Sequence, residues 1–349
     1  MFAYILKRLL LLIPTLLGIL ALTFAIIQFV PGGPVEQMVQ QLTQGTQATA
    51  EVSGGGSLRG NQHGLSPEEM DKLKALYGFD QPPLTRFVDM VGNFLRFDLG
   101  ESFFQPKTVT ELVIEKLPVS MSLGLWTFFL TYLVCIPLGI SKAVRDGSRF
   151  DAISSVFILI GYAIPGFVLG VLLLILFGGG SFWQWFPLGG MVSDDWDSFS
   201  TFQKIMDYLW HMVLPITASV VGNFAVMTLL TKNVFLEEIR RQYVYTARAK
   251  GLSERRIMFK HVFRNAMIPL ITGFPAAFLG AFFTGSLLIE TLFSLDGLGL
   301  LSYEAVMKRD YPVVMGTLYV FTLMGLLAKL LSDLSYVLVD PRIHFDGER

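Results

Sequence analysis

Long apolar runs alternate with polar loops along this chain, and six of the runs are long enough to cross a membrane as helices. A bilayer core about 30 Å thick requires about 20 apolar residues per helix. The runs of this length lie at 9–30, 119–141, 153–177, 209–231, 268–290 and 312–339. The pattern therefore predicts an all-α polytopic membrane protein with six transmembrane helices.

The polar segments suggest how the chain is organised. Residues 1–30 form the first predicted transmembrane helix, 31–118 an external (periplasmic) region, and 119–349 a five-helix transmembrane core. The stretch 42–64 is rich in Gly, Ser, Thr and Gln, a composition typical of flexible segments.

Two amphipathic helices are predicted in the external region. Ser66 to Glu69 matches a capping box, and Gly78 ends the first helix. After Pro82 and Pro83, apolar residues recur at helical spacing. They are Phe87, Met90, Val91 and Phe94. The region therefore contains a small helical part, which could be structural or could dock a partner.

Composition supports the membrane class. Hydrophobic residues make up 52% of the 349 positions and charged residues 16%, and the mean hydropathy is +0.55. The net charge of -1 says little about partners, and no nucleic-acid partner is predicted. Cys135 is the only cysteine, which excludes an intrachain disulfide and a cysteine-based metal site.

Basic residues predict the orientation in the membrane. Nine of the 27 Lys and Arg residues lie at 232–264, and others precede the first run or lie at 142–149. The loop 178–208 leans acidic instead. Because cytoplasmic loops carry the excess of Lys and Arg, both termini are expected in the cytoplasm.

The basic segment 237–269 lies between two apolar runs and looks helical. Ile239, Tyr243, Ala247 and Gly251 recur every four residues and would share one helix face that narrows toward small side chains. Small residues let another backbone approach closely, and the nearby arginines can pair with carboxylates. The face suggests a socket for a partner protein, with a turn at Gly251.

A second helix is expected at 254–267, with Ser253 as its N-cap. Its predicted apolar side consists of Phe259, Phe263, Ala266 and Leu270. The alternative interpretation is an amphipathic loop that only contacts lipid headgroups, as basic segments beside membranes often do.

Two parts of this segment resemble a known family. Tyr245 to Gly251 (YTARAKG) and His261 to Pro269 (HVFRNAMIP) are similar to the EAA loop of binding-protein-dependent ABC importer permeases, in the dipeptide, oligopeptide and nickel branch. The resemblance extends to FVPG at 29–32, RFDLGES at 96–102, YAIPGF at 162–167, ETLFS with GLG at 290–299, and DPR at 340–342.

The chain also departs from the family pattern. Tyr245 stands where the motif has its glutamate, so a salt bridge from that glutamate cannot be carried over. The distance from Gly251 to Pro269 exceeds that in sugar-type permeases, and Gly33 replaces an Asp of many relatives. Neither departure changes the expected function class.

The resemblance implies a type I ABC permease fold and half of a translocation path in the bacterial inner membrane. Its EAA loop docks into a cytoplasmic ATPase, and the other partners are a second homologous permease, a periplasmic solute-binding protein and a peptide substrate. The implied coupling residues are Tyr245, Thr246, Ala247, Lys250, Gly251, Leu252, His261, Arg264 and Asn265.

The chain itself is predicted to be non-catalytic and to bind no cofactor. It lacks the phosphate-loop pattern G-x-x-x-x-G-K-[ST]. ATP and Mg would therefore be used by the partner ATPase. No metal site is predicted.

Five residues are candidates for a gate or a substrate path. Glu290 ends the fifth run, Pro165 and Phe167 lie in the third, and Trp183 and Trp185 follow it. Aromatic residues at this depth commonly anchor helices at the membrane interface instead. A wide path that is mostly apolar and lined by hydroxyl groups would suit peptides of mixed sequence.

Other functions remain open at this stage. A nickel-uptake permease is the nearest alternative. A proton-coupled secondary transporter could use Glu290, Lys329 or Asp333, although the last two are four residues apart and could form a structural ion pair. An assembly factor without a substrate is a third class.

Overall fold

The computed structural model describes residues 2–29, 80–179, 182–283 and 285–339. The predicted flexible stretch 42–64, the predicted helix after Ser66 and the DPR motif at 340–342 lie outside them. The helices are α1 Phe2–Phe29, α2 Pro83–Phe94, α3 Val109–Val144, α4 Arg149–Ala163, α5 Gly166–Leu173, α6 Thr201–Ile239, α7 Gln242–Ala249, α8 Glu254–Arg256, α9 Phe263–Ala266, α10 Ile268–Phe283, α11 Leu287–Leu292, α12 Leu298–Lys308 and α13 Tyr311–Val339. Within the described ranges no strand forms, which confirms the all-α prediction.

Among the described residues, five helical stretches are long and apolar enough to span a membrane. They are Leu6–Phe29, Val109–Val144, Thr201–Ile239, Ile268–Leu292 and Tyr311–Ser335. A bent pair, Arg149–Ala163 with Gly166–Gly178, brings the number to six if it counts as one span. These six stretches coincide with the six apolar runs of the sequence.

Two of the spans are much longer than a bilayer requires. α3 contains 36 residues and α6 contains 39, or about 54 Å and 58 Å at about 1.5 Å per residue. α6 begins at a capping box, in which Gln203 accepts a hydrogen bond of 3.0 Å from the backbone N–H of Ser200. Both helices therefore extend beyond the hydrocarbon core.

The third predicted span is broken rather than continuous. α4 and α5 meet at an angle of 92°. Ile164 has φ -90° and ψ 118°, because a residue that precedes proline is driven out of the helical region. After α5 the chain continues as a π-helical turn, Leu174–Gly178.

The chain forms two compact units. Of the described residues, the first contains Lys116–Leu300 and those from Met324 onward, and the second contains those up to Glu115 and Leu301–Leu323. The division of the sequence at residues 30 and 118 stays a prediction. In the first unit, an apolar core joins α3, α6 and α11. Its fully or nearly buried residues are Leu123, Met212, Leu214, Ile216, Ala218, Val220, Ile289, Phe293 and Leu295.

The second unit contains the amphipathic helix that was predicted after Pro82. α2 begins with Pro83 in its first turn, where the missing N–H costs nothing. Phe94 is buried, with its ring centroid 5.1 Å from that of Tyr319, and Phe87 lies 5.3 Å from Phe24. The predicted apolar face of α2 is therefore used for packing.

Candidate coupling segment and transport cavity

The basic segment begins with a helix break. α6 ends at Ile239, Arg240 follows it, and Arg241 is extended with φ -70° and ψ 148° before α7 starts. The expectation of one continuous helix from Ile239 to Gly251 is therefore wrong. Ile239, Tyr243 and Ala247 nevertheless pack on the same apolar core, whereas Gly251 is exposed.

The turn at Gly251 has the geometry of a Schellman motif. The N–H of Gly251 donates to the carbonyl of Arg248 at 2.9 Å, and the N–H of Leu252 donates to that of Ala247 at 3.3 Å. Gly251 has φ +76°, a left-handed conformation that glycine adopts without a Cβ penalty. The predicted turn is thus present, and its hydrogen bonds end α7.

The second part of the segment is helical, but not as a regular α-helix. α8 runs into a π-helical stretch, Ile257–Val262, and then into α9. Ile257 and Val262 are fully buried five residues apart, whereas Phe259 is 70% exposed. Phe259 was predicted on one apolar side of the helix with Phe263, Ala266 and Leu270. That placement is wrong because the wider π turn rotates the side chains away from a 3.6-residue repeat.

A small apolar core supports both parts of the segment. It also includes residues of α3 and α6. Its buried members are Ala143, Phe235, Val244, Ala247, Ile257, Val262 and Ala266. Ala247 was expected to contact a partner, but it is only 7% exposed and packs inside the chain. Its role in this structure is to support the surface above it.

The remaining predicted coupling residues form a largely exposed surface. Tyr245 is 57% exposed. Thr246, Lys250, Gly251 and Arg264 are also exposed, and Leu252, His261 and Asn265 are half-buried. We call these residues, with Phe259, the coupling surface.

Two side-chain pairs stabilise the bends. Arg248 donates to Glu254 through two nitrogens, at 2.6 and 3.1 Å, and so joins α7 to α8. This guanidinium lowers the pKa of the Glu254 carboxyl. Across the earlier break, the Tyr243 hydroxyl donates to Glu238 at 2.7 Å. Burial, with the Glu238 carboxylate, raises the pKa of Tyr243 to about 12.

A network of charged side chains lies beside this core. Lys142 is fully buried, and its Nζ lies 2.9 Å from Oδ1 of Asp151. The other carboxylate oxygen of Asp151 accepts from Lys232 at 2.7 Å. Asp146 is 2.9 Å from Lys232 and 3.3 Å from Arg240, the residue at the helix break. The network therefore joins the α3–α4 turn to the end of α6.

Sequence reasoning missed this network. It used Lys142 only as a basic residue that marks the cytoplasmic side, and it assigned no role to Asp146 or Asp151. The available signal was a lysine at the end of a long apolar run with two aspartates following it.

A cavity of about 700 Å³ lies among α3, α5, α6, α10 and α11. Most of its wall is apolar, and Phe167 lies on it, as predicted for a substrate path. The polar side chains in its wall are Thr127, Thr131, Tyr132, Ser219, Asn223 and Ser286, and no charged side chain is among the described residues that line it. The lining has the apolar and hydroxyl character expected of a peptide path, and the role of this cavity as a path stays a prediction.

Glu290 lies away from the cavity wall. Its carboxylate is fully buried and accepts hydrogen bonds from the backbone N–H groups of Ser286, at 3.0 Å, and Leu300, at 2.7 Å. A Cβ on Gly297 would lie 2.6 Å from its carboxyl carbon. The structure thus places Glu290 as a bridge between α11 and α12, instead of the substrate-facing gate that was suggested.

Pro165, Trp183 and Trp185, the remaining gate candidates, are also outside the cavity wall. Pro165 precedes α5 and creates the break beside Gly166, which does line the cavity. Trp183 and Trp185 stack on each other, with ring centroids 5.4 Å apart, and lie 5.5 and 5.4 Å from Phe177. This cluster fits interfacial anchoring.

The ionisable pair of the last span is on α13. Lys329 is exposed and Asp333 is half-buried. Their ion pair stays a prediction.

The comparisons with known proteins all indicate the same family. Residues 135–345 match the model of the binding-protein-dependent transport system inner membrane component family. The chain is 57% identical to the peptidoglycan transport system permease protein YejB of Agrobacterium fabrum (strain C58), over 99% of this chain and 98% of the relative. It is 52% identical to the inner membrane ABC transporter permease protein YejB of Escherichia coli O157:H7, over 99% of both chains.

A more distant relative is the dipeptide transport system permease protein DppB of Escherichia coli (strain K12). It is 34% identical over 98% of this chain and 99% of its own length. The match to the family model covers more than half of the chain and the relatives align over nearly all of it, so this chain belongs to the inner membrane components of binding-protein-dependent transport systems.

Proposed function

We propose that this chain is the permease subunit of an ATP-driven peptide importer. It forms half of a translocation path and is coupled to a cytoplasmic ATPase through segment 237–269. Both termini face the cytoplasm. The chain binds no nucleotide itself, and its partners are a second homologous permease, the ATPase and a periplasmic solute-binding protein.

One observation carries this proposal, the construction of the coupling surface. Tyr245, Lys250 and Phe259 project from short helices that are held by a buried core and by the Schellman turn at Gly251. A loop that only contacts lipid headgroups needs no such support. We call the bent segment 237–269 the elbow. Its exposed aromatic and basic side chains, supported by a buried core, suit transmission of force from a partner protein, because aromatic residues anchor interfaces.

The ion network gives the elbow a connection toward the cavity. Arg240 at the helix break pairs with Asp146, and Asp151 belongs to α4, whose continuation α5 carries Phe167 on the cavity wall. Movement of the elbow would in this way reach the path.

A pair of charge reversals tests the coupling role. Lys250→Glu reverses an exposed charge on the coupling surface, and Arg149→Glu reverses an exposed charge at the first residue of α4. Both variants are reconstituted with the ATPase and the binding protein. Lys250→Glu should weaken ATPase association and substrate-stimulated ATP hydrolysis several-fold, whereas Arg149→Glu should behave like the parent chain.

Equal ATPase co-purification and equal stimulated hydrolysis in the two variants would refute the assignment of the coupling surface. Transport that persists without the ATPase and stops when the proton gradient is removed would instead support the secondary-transporter alternative.

Peptides are the proposed substrates because the cavity is uncharged and offers hydroxyl and amide groups, and because relatives carry dipeptide and oligopeptide transport names. A second candidate is a peptidoglycan fragment, favoured by the name of the 57% identical relative. Competition between a free tetrapeptide and a sugar-linked tetrapeptide in vesicle uptake separates the two. Uptake of labelled nickel instead of either would select the nickel alternative.

A further inference from the structure

Glu290 is an ionisable residue that lies inside the span Ile268–Leu292 and is fully buried. Ionisable groups at this depth are costly to insert into a membrane, and they commonly mark functional sites. The carboxyl group of Glu290 does not line the cavity. Any effect of Glu290 on transport must therefore pass through the residues that it contacts.

Donors from three parts of the chain converge on this carboxyl group. Oε1 accepts from the N–H of Ser286 at 3.0 Å and from the hydroxyl of Ser120, on α3, at 3.3 Å. Oε2 accepts from the N–H of Leu300, in the first turn of α12, at 2.7 Å. The Ser120 oxygen accepts in turn from the N–H of Leu298 at 2.8 Å. Glu290 thus joins the starts of α11 and α12 to α3, and we call these five residues the carboxylate cluster.

Two glycines provide the space for the carboxyl group. A Cβ on Gly297 would lie 2.6 Å from its carboxyl carbon, and a Cβ on Gly299 would lie 3.1 Å from Oε2. Neither glycine has a positive φ, so close packing and not backbone conformation requires glycine here. A side chain at Gly297 would push the carboxyl group away from its donors.

The carboxylate cluster lies at the end of the cavity that is away from the elbow. α10 starts at Ile268, beside the elbow, and its 16 residues extend about 24 Å before the chain reaches Ser286. Ser286 and Ile289 line the cavity, and α3 enters the cavity wall at Leu123, three residues after Ser120. In the proposed orientation this end of the cavity faces the periplasm.

We infer that Glu290 is a positioning residue of the transport path, which holds the wall segment 286–289 in place and so keeps the periplasmic end of the path closed between transport cycles. This inference rests on the proposed function and adds to it the location of an outer gate. Glu290 does not touch the substrate and acts through Ser286 and Ile289. Without its hydrogen bonds the wall segment can move away from α3 and α12, and the path then leaks without ATP.

Two variants release the carboxyl group in different ways. Glu290→Gln keeps the size of the side chain but turns one acceptor oxygen into a donor NH₂ group. Gly297→Ala leaves Glu290 unchanged and places a Cβ against its carboxyl carbon. Asp310→Asn is the matched control, because Asp310 is also buried and accepts from the N–H of Phe103 at 3.1 Å but lies outside the cavity wall.

Each variant is assembled with the second permease, the ATPase and the binding protein in vesicles that contain a labelled tetrapeptide. Loss of the label without ATP measures the leak per complex, and ATP hydrolysis is measured with and without the binding protein. In Glu290→Gln and Gly297→Ala the leak should rise about tenfold or more, the effect of losing a hydrogen bond to a charged group. Stimulation of hydrolysis by the binding protein should fall in both, and Asp310→Asn should retain the label like the parent complex.

A purely structural role for Glu290 would lower the thermal stability of the complex without a leak per complex. The double variant of Glu290→Gln and Gly297→Ala should leak no more than either single variant, because both act through one carboxyl group. Hydrogen exchange of the parent complex supplies a measurement that needs no variant. The amides of Ser286 and Leu300 should stay protected during ATP turnover, because they donate to Glu290 in every cycle.

Three results would each overturn the inference. They are retention of the label by the Glu290→Gln and Gly297→Ala complexes equal to that of Asp310→Asn, independent effects of the two substitutions on the leak, and rapid exchange of the Ser286 and Leu300 amides in the parent complex. If neither variant assembles, the exchange measurement decides. A parent complex with no ATP-dependent tetrapeptide uptake would instead refute the proposed function, so the two failures are distinguishable.

Discussion

Substitution of the buried Lys142 or of its partner Asp151 should lower the free energy of unfolding by an amount that follows from their contacts. Lys142 is ion-paired with Asp151 Oδ1, and its Nζ donates to the Asp151 carbonyl at 2.7 Å and to the hydroxyls of Ser154 and Ser155 at 2.8 and 2.7 Å. Lys142→Met keeps the aliphatic stem and removes all of these bonds. Asp151→Asn keeps the shape of the other partner and removes its charge.

Removing one partner of a buried ion pair costs about 3–5 kcal/mol. Lys142→Met should fall near the lower end, about 3 kcal/mol, because Lys232 remains 2.7 Å from the Asp151 carboxylate. Asp151→Asn should cost about 4 kcal/mol or more, since it leaves the fully buried Lys142 without a counter-charge. The double variant should cost less than the sum, with a coupling of about 1–3 kcal/mol.

Reversible unfolding of the full chain in mixed micelles measures the three free energies. Arg149→Glu serves as the control, because it reverses an exposed charge at the first residue of α4, two residues before Asp151. The reasoning fails if Lys142→Met lies within about 0.5 kcal/mol of the parent chain, the range usual for surface substitutions. It also fails if Asp151→Asn is the milder change or if the two effects are additive.

Three further predictions concern single positions. Gly124→Ala places a Cβ 1.7 Å from the Ala281 carbonyl oxygen, so α3 and α10 must separate. Thermal unfolding should show a loss of stability of about 1–3 kcal/mol or more. Gly273→Ala, whose Cβ meets no atom within 4 Å, should not show this loss. Gly251→Ala meets no atom within 4 Å but must adopt φ +76°, so substrate-stimulated ATP hydrolysis should fall, and less so for Gly251→Asn, which tolerates this conformation. Burial raises the pKa of the Asp310 carboxyl above its unfolded value of about 3.9. The stability that the protonated carboxyl contributes is therefore complete below the unfolded pKa and is lost as the pH rises through the folded pKa. Hydrogen-exchange protection of the Phe103 amide, which donates to Asp310, should therefore fall with pH in the parent chain and stay flat in Asp310→Asn.

The transmembrane spans could be predicted from the sequence, because the hydrophobicity of each apolar run depends only on the residues of that run. Six runs predicted six spans, and the helices found include all of them. The turn at Gly251 was also predictable, since it depends on one residue that accepts positive φ. The break at Ile164 and Pro165 follows from proline geometry, although its angle of 92° does not.

The coupling segment shows where local reasoning fails. A repeat of four residues predicted one continuous helix from Ile239 to Gly251, but the helix ends at Ile239 and restarts at Gln242. A 3.6-residue period placed Phe259 on the apolar side of the second helix, but the π turn buries Ile257 and Val262 and leaves Phe259 exposed. Periodicity assumes that a helix is regular and straight, and both irregularities arise where the segment packs on α3 and α6.

The sequence by itself determined the membrane class, the six apolar spans and the presence of a basic elbow with a glycine turn, because these depend on residues close together in the chain. The tertiary structure alone decided that Ala247 and Glu290 are buried, that Lys142 is paired with Asp151, and that Thr131 and Asn223 share a cavity wall. Burial and pairing depend on which distant segments meet, and helices packed in a membrane bring together residues that no local pattern relates.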